Sequence, residues 1–221
     1  MDEKVLGIWG AGGLGREILE LSMIINEKEK RWSEFVFVVD NITVPEVCGI
    51  KVMQYEDAKK QYGPNLEITV GIGEPIIREQ KFQQLEVDEI CIPTLIHPDV
   101  HIPKSTEIGK GVVIQYGCFI SCDVKISEYV YIQPQCNIGH DALLAEGCML
   151  SGFANVAGAV SIGRYTYLGL STVLKEGITI GNNSIIGMGS VVYKDVPDDM
   201  VALGNPARPM AKNTDRKVFG H

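Results

Sequence analysis

His140 is the side chain in this sequence best suited to move a proton, because an imidazole titrates close to neutral pH. A carboxylate, Asp141, follows it directly. Two more residues belong with this pair by spacing: Asp123 precedes Asp141 by an interval of 18, and Gly158 follows His140 by the same interval. A histidine steadied by an acid can serve as a general base. A glycine beside it leaves a backbone N–H open to a developing oxyanion, since no side chain stands in the way. These types together favour acyl transfer. The stacked aspartates could alternatively hold a metal, but a catalytic zinc site asks for about three His-type ligands. This stretch offers one, and His97 and His101 lie more than two such intervals earlier. No metal is expected.

The interval takes its meaning from the surrounding chain. Every sixth residue from Ile96 to Val192 is Ile, Leu or Val, and two residues before each later aliphatic stands a small or β-branched side chain, from Val100 and Thr106 through Cys118 to Ser184 and Ser190. Two of every six residues therefore point into a narrow interior, which predicts a hexapeptide-repeat β-helix. Three hexapeptides make one triangular coil, and coils stack at about the 4.8 Å strand spacing, so residues one coil apart form columns. Such an interior is too narrow for a ligand. Outward turn positions must carry the chemistry, on the faces of the rod or between copies of it. No insertion breaks the register from Ile96 to Val196, so no long arm reaches across from a coil.

The segment 1–93 follows another pattern. An apolar strand (Val5 to Trp9), a glycine turn (Gly10, Ala11, Gly12, Gly13, Leu14, Gly15) and a helix from about Arg16 to Lys28, with Ile18, Leu21 and Ile25 on one face, read as strand, turn, helix. A second strand, Phe35 to Val39, ends in Asp40, at an interval of 25 from Gly15. That spacing suits a carboxylate reading a ribose or base edge at the carboxyl end of a parallel strand. A third strand, Ile68 to Ile72, runs into Gly73 and a helix bearing Arg78. The unit is half a dinucleotide fold, which fits one nucleotide and argues against a dehydrogenase.

The net charge of −8 argues against nucleic acid or an anionic membrane as partner. The start lacks a secretory signal and no stretch approaches the ~20 apolar residues of a membrane helix, so a cytoplasmic protein is expected. Six cysteines without a C-x-x-C pair read as reduced thiols, three of them (Cys118, Cys136, Cys148) in the small slots of the repeat. The exit Gly204-Asn205-Pro206-Ala207-Arg208 leads to Lys212, Arg216 and Lys217. These read either as a solvated cap or, with Lys175 and Lys194, as a cluster that neutralises a phosphate-rich ligand. Three segments are expected: 1–93, 94–203 and a capping tail, 204–221.

The glycine start, Val39-Asp40-Asn41, Gly73 to Arg78, Leu95-Ile96-His97-Pro98, Gly139-His140-Asp141 and the Gly-Asn-Pro-Ala-Arg exit together resemble the NeuD/PglD-type sugar acetyltransferases over almost the whole chain. The resemblance implies an α/β plus all-β architecture, a small Rossmann-like domain followed by a left-handed parallel β-helix, an exception to the right-handed crossover rule. It implies acetyl-CoA as donor and a homotrimer with active sites at subunit interfaces. The implied acceptor is the amino group of a nucleotide-linked amino-deoxysugar in surface glycan synthesis, or alternatively a hydroxyl of sialic acid or another sugar. On this likeness His140 is the base, Asp141 its acidic neighbour, and Gly158 the glycine whose amide meets the thioester carbonyl. Leu170 and Met188, one coil apart, fall along the pantetheine groove, and Arg208 joins the acetyl-CoA residues. Gly10, Gly12, Gly13, Asp40, Asn41 and Gly73 would hold the nucleotide sugar. Two departures stand out: Met149 where some members carry a second histidine, and Glu74-Pro75 in place of a pair of amides.

Overall fold

The computed structural model describes residues 4–219. The first three residues, and Gly220 and His221 at the end of the expected tail, lie outside it. Two compact units emerge, one of residues 1–73 and 80–95, the other of residues 74–79 and 96–221. Among the described residues no helix is long and apolar enough to cross a membrane.

The first unit begins with β1 (Val5–Trp9), α1 (Gly13–Glu29), β2 (Glu34–Val39), β3 (Glu46–Val47), β4 (Ile50–Gln54), α2 (Tyr55–Tyr62) and β5 (Leu66–Val70). The strands lie in the order β3-β4-β2-β1-β5, and all but β3 run parallel. A parallel sheet has both faces covered, so its central strands are near-continuously apolar. Leu6, Ile8, Val36, Phe37, Val38 and Ile68 are accordingly buried, with Ile18, Leu21 and Ile25 of α1 packed in as the sequence pattern predicts. One carboxylate breaks the apolar run. Glu67 on β5 is 2% exposed and accepts hydrogen bonds from Lys4, from Trp32 Nε1 at 2.9 Å and from Arg31 at 3.3 Å. Burial pushes its pKa up, but the hydrogen bonds from Lys4 and Trp32 and the charges of Arg31 and Lys4 outweigh this and hold it below the usual carboxylate range.

The second unit is a left-handed parallel β-helix of two-residue strands. Its strands form three sheets. The first contains Glu107–Ile108, Lys125–Ile126, Leu143–Leu144, Ser161–Ile162 and Thr179–Ile180. The second runs from Leu95–Ile96 through Val113–Ile114, Tyr131–Ile132, Met149–Leu150 and Tyr167–Leu168 to Ile185–Ile186. The third holds Phe119–Ile120, Asn137–Ile138, Asn155–Val156, Val173–Leu174 and Val191–Val192. Partners sit one full coil apart, as the columns require, with Asn137 opposite Asn155 and Lys125 opposite Leu143. The predicted ladder and its small partners form one buried core from Val112 to Ala202, each aliphatic contributing roughly 1.5–3 kcal/mol on burial.

Each corner needs a left-handed residue three positions after the inward aliphatic, which is why φ is +58° at Asp123, +58° at Asp141, +56° at Ala159 and +57° at Ser171. The final coil departs from the period without any insertion. Val196 bridges Ile180, and Val201 and Ala202 pair with Ile185 and Ile186, each pairing falling two short of the regular interval. The chain then doubles back, Met200–Gly204 pairing antiparallel with Ala207–Lys212, so the exit is a hairpin that covers the end of the second sheet. Residues 74–79 open the helix α3 (Pro75–Val87) and carry Arg78, 1% exposed, whose Nη2 donates to the Tyr129 carbonyl at 2.9 Å. Burial pulls its pKa down to about 10.

Candidate active site

His140 stands in the turn that leads from the third sheet to the first. Gly139 passes so close to the next coil that a Cβ there would lie 2.5 Å from the Gly158 nitrogen; only glycine fits, and the chain is then free to project His140 outward. Asp141 follows at the left-handed position, which Asp tolerates better than most residues. Its Oδ2 lies 2.7 Å from His140 Nδ1. With Nδ1 engaged by the carboxylate, Nε2 is the nitrogen left to take a proton. The pair is open to solvent, 64% and 62% exposed. Gly158 lies against the ring, and a Cβ on it would come within 2.6 Å of both Cε1 and Nε2. His140, Asp141 and Gly158 are thus brought together. Asp123 occupies the equivalent turn one coil earlier, its N–H donating to Ser105 Oγ at 3.1 Å, and it is Asp141 that engages the imidazole. Met149 lies at an outward position of the second sheet and is 2% exposed, so it belongs to a different face from His140.

Leu170 and Met188 occupy another corner, between the second sheet and the third. They are 48% and 77% exposed and border a cavity of about 420 Å³ whose wall is mostly apolar, including Tyr167, Ile185, Val201 and Leu203. Glycine again makes the fit: a Cβ at Gly187 would sit 1.9 Å from Leu203 Cδ2. Arg208 is exposed on the hairpin opposite Leu203, outside the cavity lining. The third sheet separates this apolar corner from the polar corner of His140. The basic residues of the exit are dispersed as well. Lys175 and Lys194 lie in turns of the His140 corner, whereas Lys217 lines the cavity and Arg216 pairs with Glu79 at 2.6 Å.

In the first unit the glycine turn divides its labour. Gly10 has φ +110°, which a side chain would strain, and a Cβ on Gly15 would lie 1.8 Å from the Gly10 carbonyl oxygen. These two allow α1 to pack on the sheet. Gly12 and Gly13 are different: nothing lies within 4 Å of a Cβ at either, so the backbone N–H groups at the start of α1 are open to an anion. Asp40 and Asn41 follow β2 and are exposed, and Gly73 comes shortly after β5. Sequence reasoning missed one neighbour. Lys81 donates to Asp40 Oδ1 at 2.7 Å and stands over the Trp9 ring at 4.3 Å; it falls outside the glycine motif, so spacing alone carried no signal for it.

A family model of the PglD N-terminal domain matches residues 5–85, and one of the hexapeptide repeat of succinyl-transferase matches residues 159–194. The acetyltransferase domain of PglB from Neisseria gonorrhoeae FA1090, in complex with acetyl coenzyme A, is 29% identical with a TM-score of 0.87, covering 94% of this chain and 100% of that one. The two family models and this likeness support a NeuD/PglD-type hexapeptide-repeat sugar acetyltransferase. A mutant of perosamine N-acetyltransferase from Caulobacter crescentus, in complex with CoA and GDP-perosamine, is 27% identical with a TM-score of 0.83, covering 96% of this chain and 99% of that one. Galactoside O-acetyltransferase of Escherichia coli (strain K12) is 44% identical over 57 residues, 26% of this chain, and the match spans only 28% of that relative's length.

Proposed function

We propose that this protein is an acetyl-CoA-dependent N-acetyltransferase acting on the amino group of a nucleotide-activated amino-deoxysugar. One observation carries the reading: an imidazole held at Nδ1 by Asp141 and lying against a bare glycine, Gly158. The sugar amine attacks the thioester carbon while His140 Nε2 takes the amine proton, and Asp141 stabilises the resulting imidazolium. The Gly158 N–H receives the oxyanion of the tetrahedral intermediate. Collapse expels the CoA thiolate, which takes the proton back from the imidazolium, and no acyl-enzyme forms.

Leu170 and Met188 hold the pantetheine arm. Because they and His140 stand on different corners of one rod, a site built between copies serves the reaction better than one chain alone, which supports a homotrimer with active sites at its interfaces. The open amides at Gly12 and Gly13 suit the phosphates of the sugar nucleotide, with Asp40, Asn41 and Gly73 beside them and Lys81 adding positive charge. The GDP-perosamine and acetyl coenzyme A held by the two solved relatives support both substrate classes. A cytoplasmic location follows from the use of acetyl-CoA and a nucleotide sugar.

The test is thiol release from acetyl-CoA in the presence of a panel of nucleotide-linked amino sugars, with the product identified by mass spectrometry. No release with any amino sugar would sink the reading. The likeness to a galactoside O-acetyltransferase favours one alternative, transfer to a hydroxyl of sialic acid or another sugar. Hydroxylamine separates the two, since it cleaves an acetate ester and leaves an amide intact.

A further inference from the structure

The cavity at the apolar corner has an outer wall that the repeat does not supply. Lys217, Val218 and Phe219, beyond the hairpin, complete its lining. Three contacts hold this segment in place. The Glu74 carboxylate accepts both the Val218 N–H at 2.7 Å and the Phe219 N–H at 3.1 Å. The Phe219 ring meets Tyr167 edge-on, with centroids 5.7 Å apart. Just before it, Arg216 is bound by Glu79. The segment covers the cavity without filling it, since about 420 Å³ remains behind it.

Resting on the coenzyme reading above, we propose that Lys217–Phe219 is a strap that closes the groove over the pantetheine arm, that Lys217 binds the adjoining pyrophosphate, and that Glu74 is the positioning residue that holds the strap. The chemistry of the enclosure matches that arm. Leu170, Met188, Leu203, Val218 and Phe219 offer an apolar sleeve for its dimethyl-bearing chain, and Lys217, the one cation in the lining among the described residues, meets the pyrophosphate. A carboxylate taking two successive backbone N–H groups binds main chain and carries no preference for a sugar or base. Glu74 thus finds its use in the strap, and the departure from a pair of amides at this position acquires a reason.

Calorimetric binding of CoA and of pantetheine to the full-length protein, with acetyl-CoA kinetics, tests the proposal. Glu74→Ala is expected to weaken CoA and pantetheine binding about tenfold, and Glu74→Gln, which keeps one acceptor, to recover part of it. Lys217→Ala is expected to weaken CoA about tenfold while leaving pantetheine, which lacks the phosphates, unchanged. In each variant KM for acetyl-CoA rises, kcat stays within about twofold and KM for the sugar is unaltered. CoA affinity equal to wild type in all three variants overturns the strap. Should Glu74→Ala fail to fold, Lys217→Ala and Phe219→Ala carry the same test. A wild type that binds CoA but acetylates no sugar overturns the transferase reading while the CoA affinities still decide the strap; a wild type that binds no CoA overturns both.

Discussion

Two corners of the same rod make opposite use of the same repeat. At the corner between the third and first sheets the turn is polar and exposed, with an imidazole and a carboxylate held 2.7 Å apart. At the corner between the second and third sheets the turn presents Leu170 and Met188 beside an apolar cavity. Both are built from the same hexapeptide turn with glycine after the inward aliphatic, Gly139 in one case and Gly169 in the other, each placed where a Cβ would lie 2.5 Å from a backbone nitrogen of the next coil. The backbone is thus common to both, and one outward residue per turn decides whether a corner does acid–base work or grips a chain. On the proposed function the division is chemistry at one corner and coenzyme at the other.

The largest expected effect is on the chemical step alone. His140→Ala should lower kcat by roughly 10²- to 10⁴-fold with CoA affinity unchanged, measured by steady-state kinetics beside calorimetry; loss of CoA binding in the same variant would break the division of labour. Gly158→Ala comes next. A methyl group 2.6 Å from Cε1 and Nε2 must push the ring aside, and a displacement of about 1 Å is enough to cost on the order of 10²-fold in turnover. A substitution at the other corner, Met188→Ala, should raise KM for acetyl-CoA several-fold and spare kcat, the loss of one exposed apolar contact being modest.

Mixing tests the separation directly. If one copy grips the coenzyme and its neighbour supplies the base, co-refolding inactive His140→Ala with a Leu170→Asp, Met188→Asp double variant should restore part of the activity in the mixed oligomer. A mixture no more active than its parents would place both corners' work within one chain. The smallest effect on turnover is expected far from either corner. Glu67 has a lowered pKa in the folded state, so its stabilising contribution is present above the usual carboxylate range and is lost as the pH falls through that lowered value. Thermal midpoints of the wild type should therefore drop on acidification below about pH 4. Glu67→Ala, which leaves the buried Trp32 Nε1 without its acceptor while Lys4 and Arg31 remain partly in water, should cost about 1–3 kcal/mol with little change in kcat for the protein that remains folded.

Periodicity exposed the coils, their core and the His140–Asp141–Gly158 grouping, because a fixed interval translates directly into columns. The separation of the corners is written in the same arithmetic: the interval from His140 to Leu170 is not a whole number of coils. Three features lay beyond that reach. The shortened final coil shows in a hexad count only as Asp198 standing where an aliphatic is due, and it takes the Ile180 pairing to reveal that Val196 fills that place instead. Lys81 meets Asp40 from a separate helix, and Glu74 meets Val218 from the far side of the entire repeat. Contacts of that span are made by folding and leave no local pattern.

The hairpin after the shortened coil also governs how long the rod can grow. A stack of parallel strands offers its last rung as a template for whatever chain arrives next, and a rod of this kind could in principle lengthen copy upon copy. Here the second sheet ends in a pair of strands running against each other, with Pro206 and Pro209 among the residues of the hairpin. Proline has no N–H to offer a newcomer, and the reversal presents the wrong polarity for another coil. On that face the growing point is sealed, so a fold with the internal grammar of a fibre carries a stop in its second sheet.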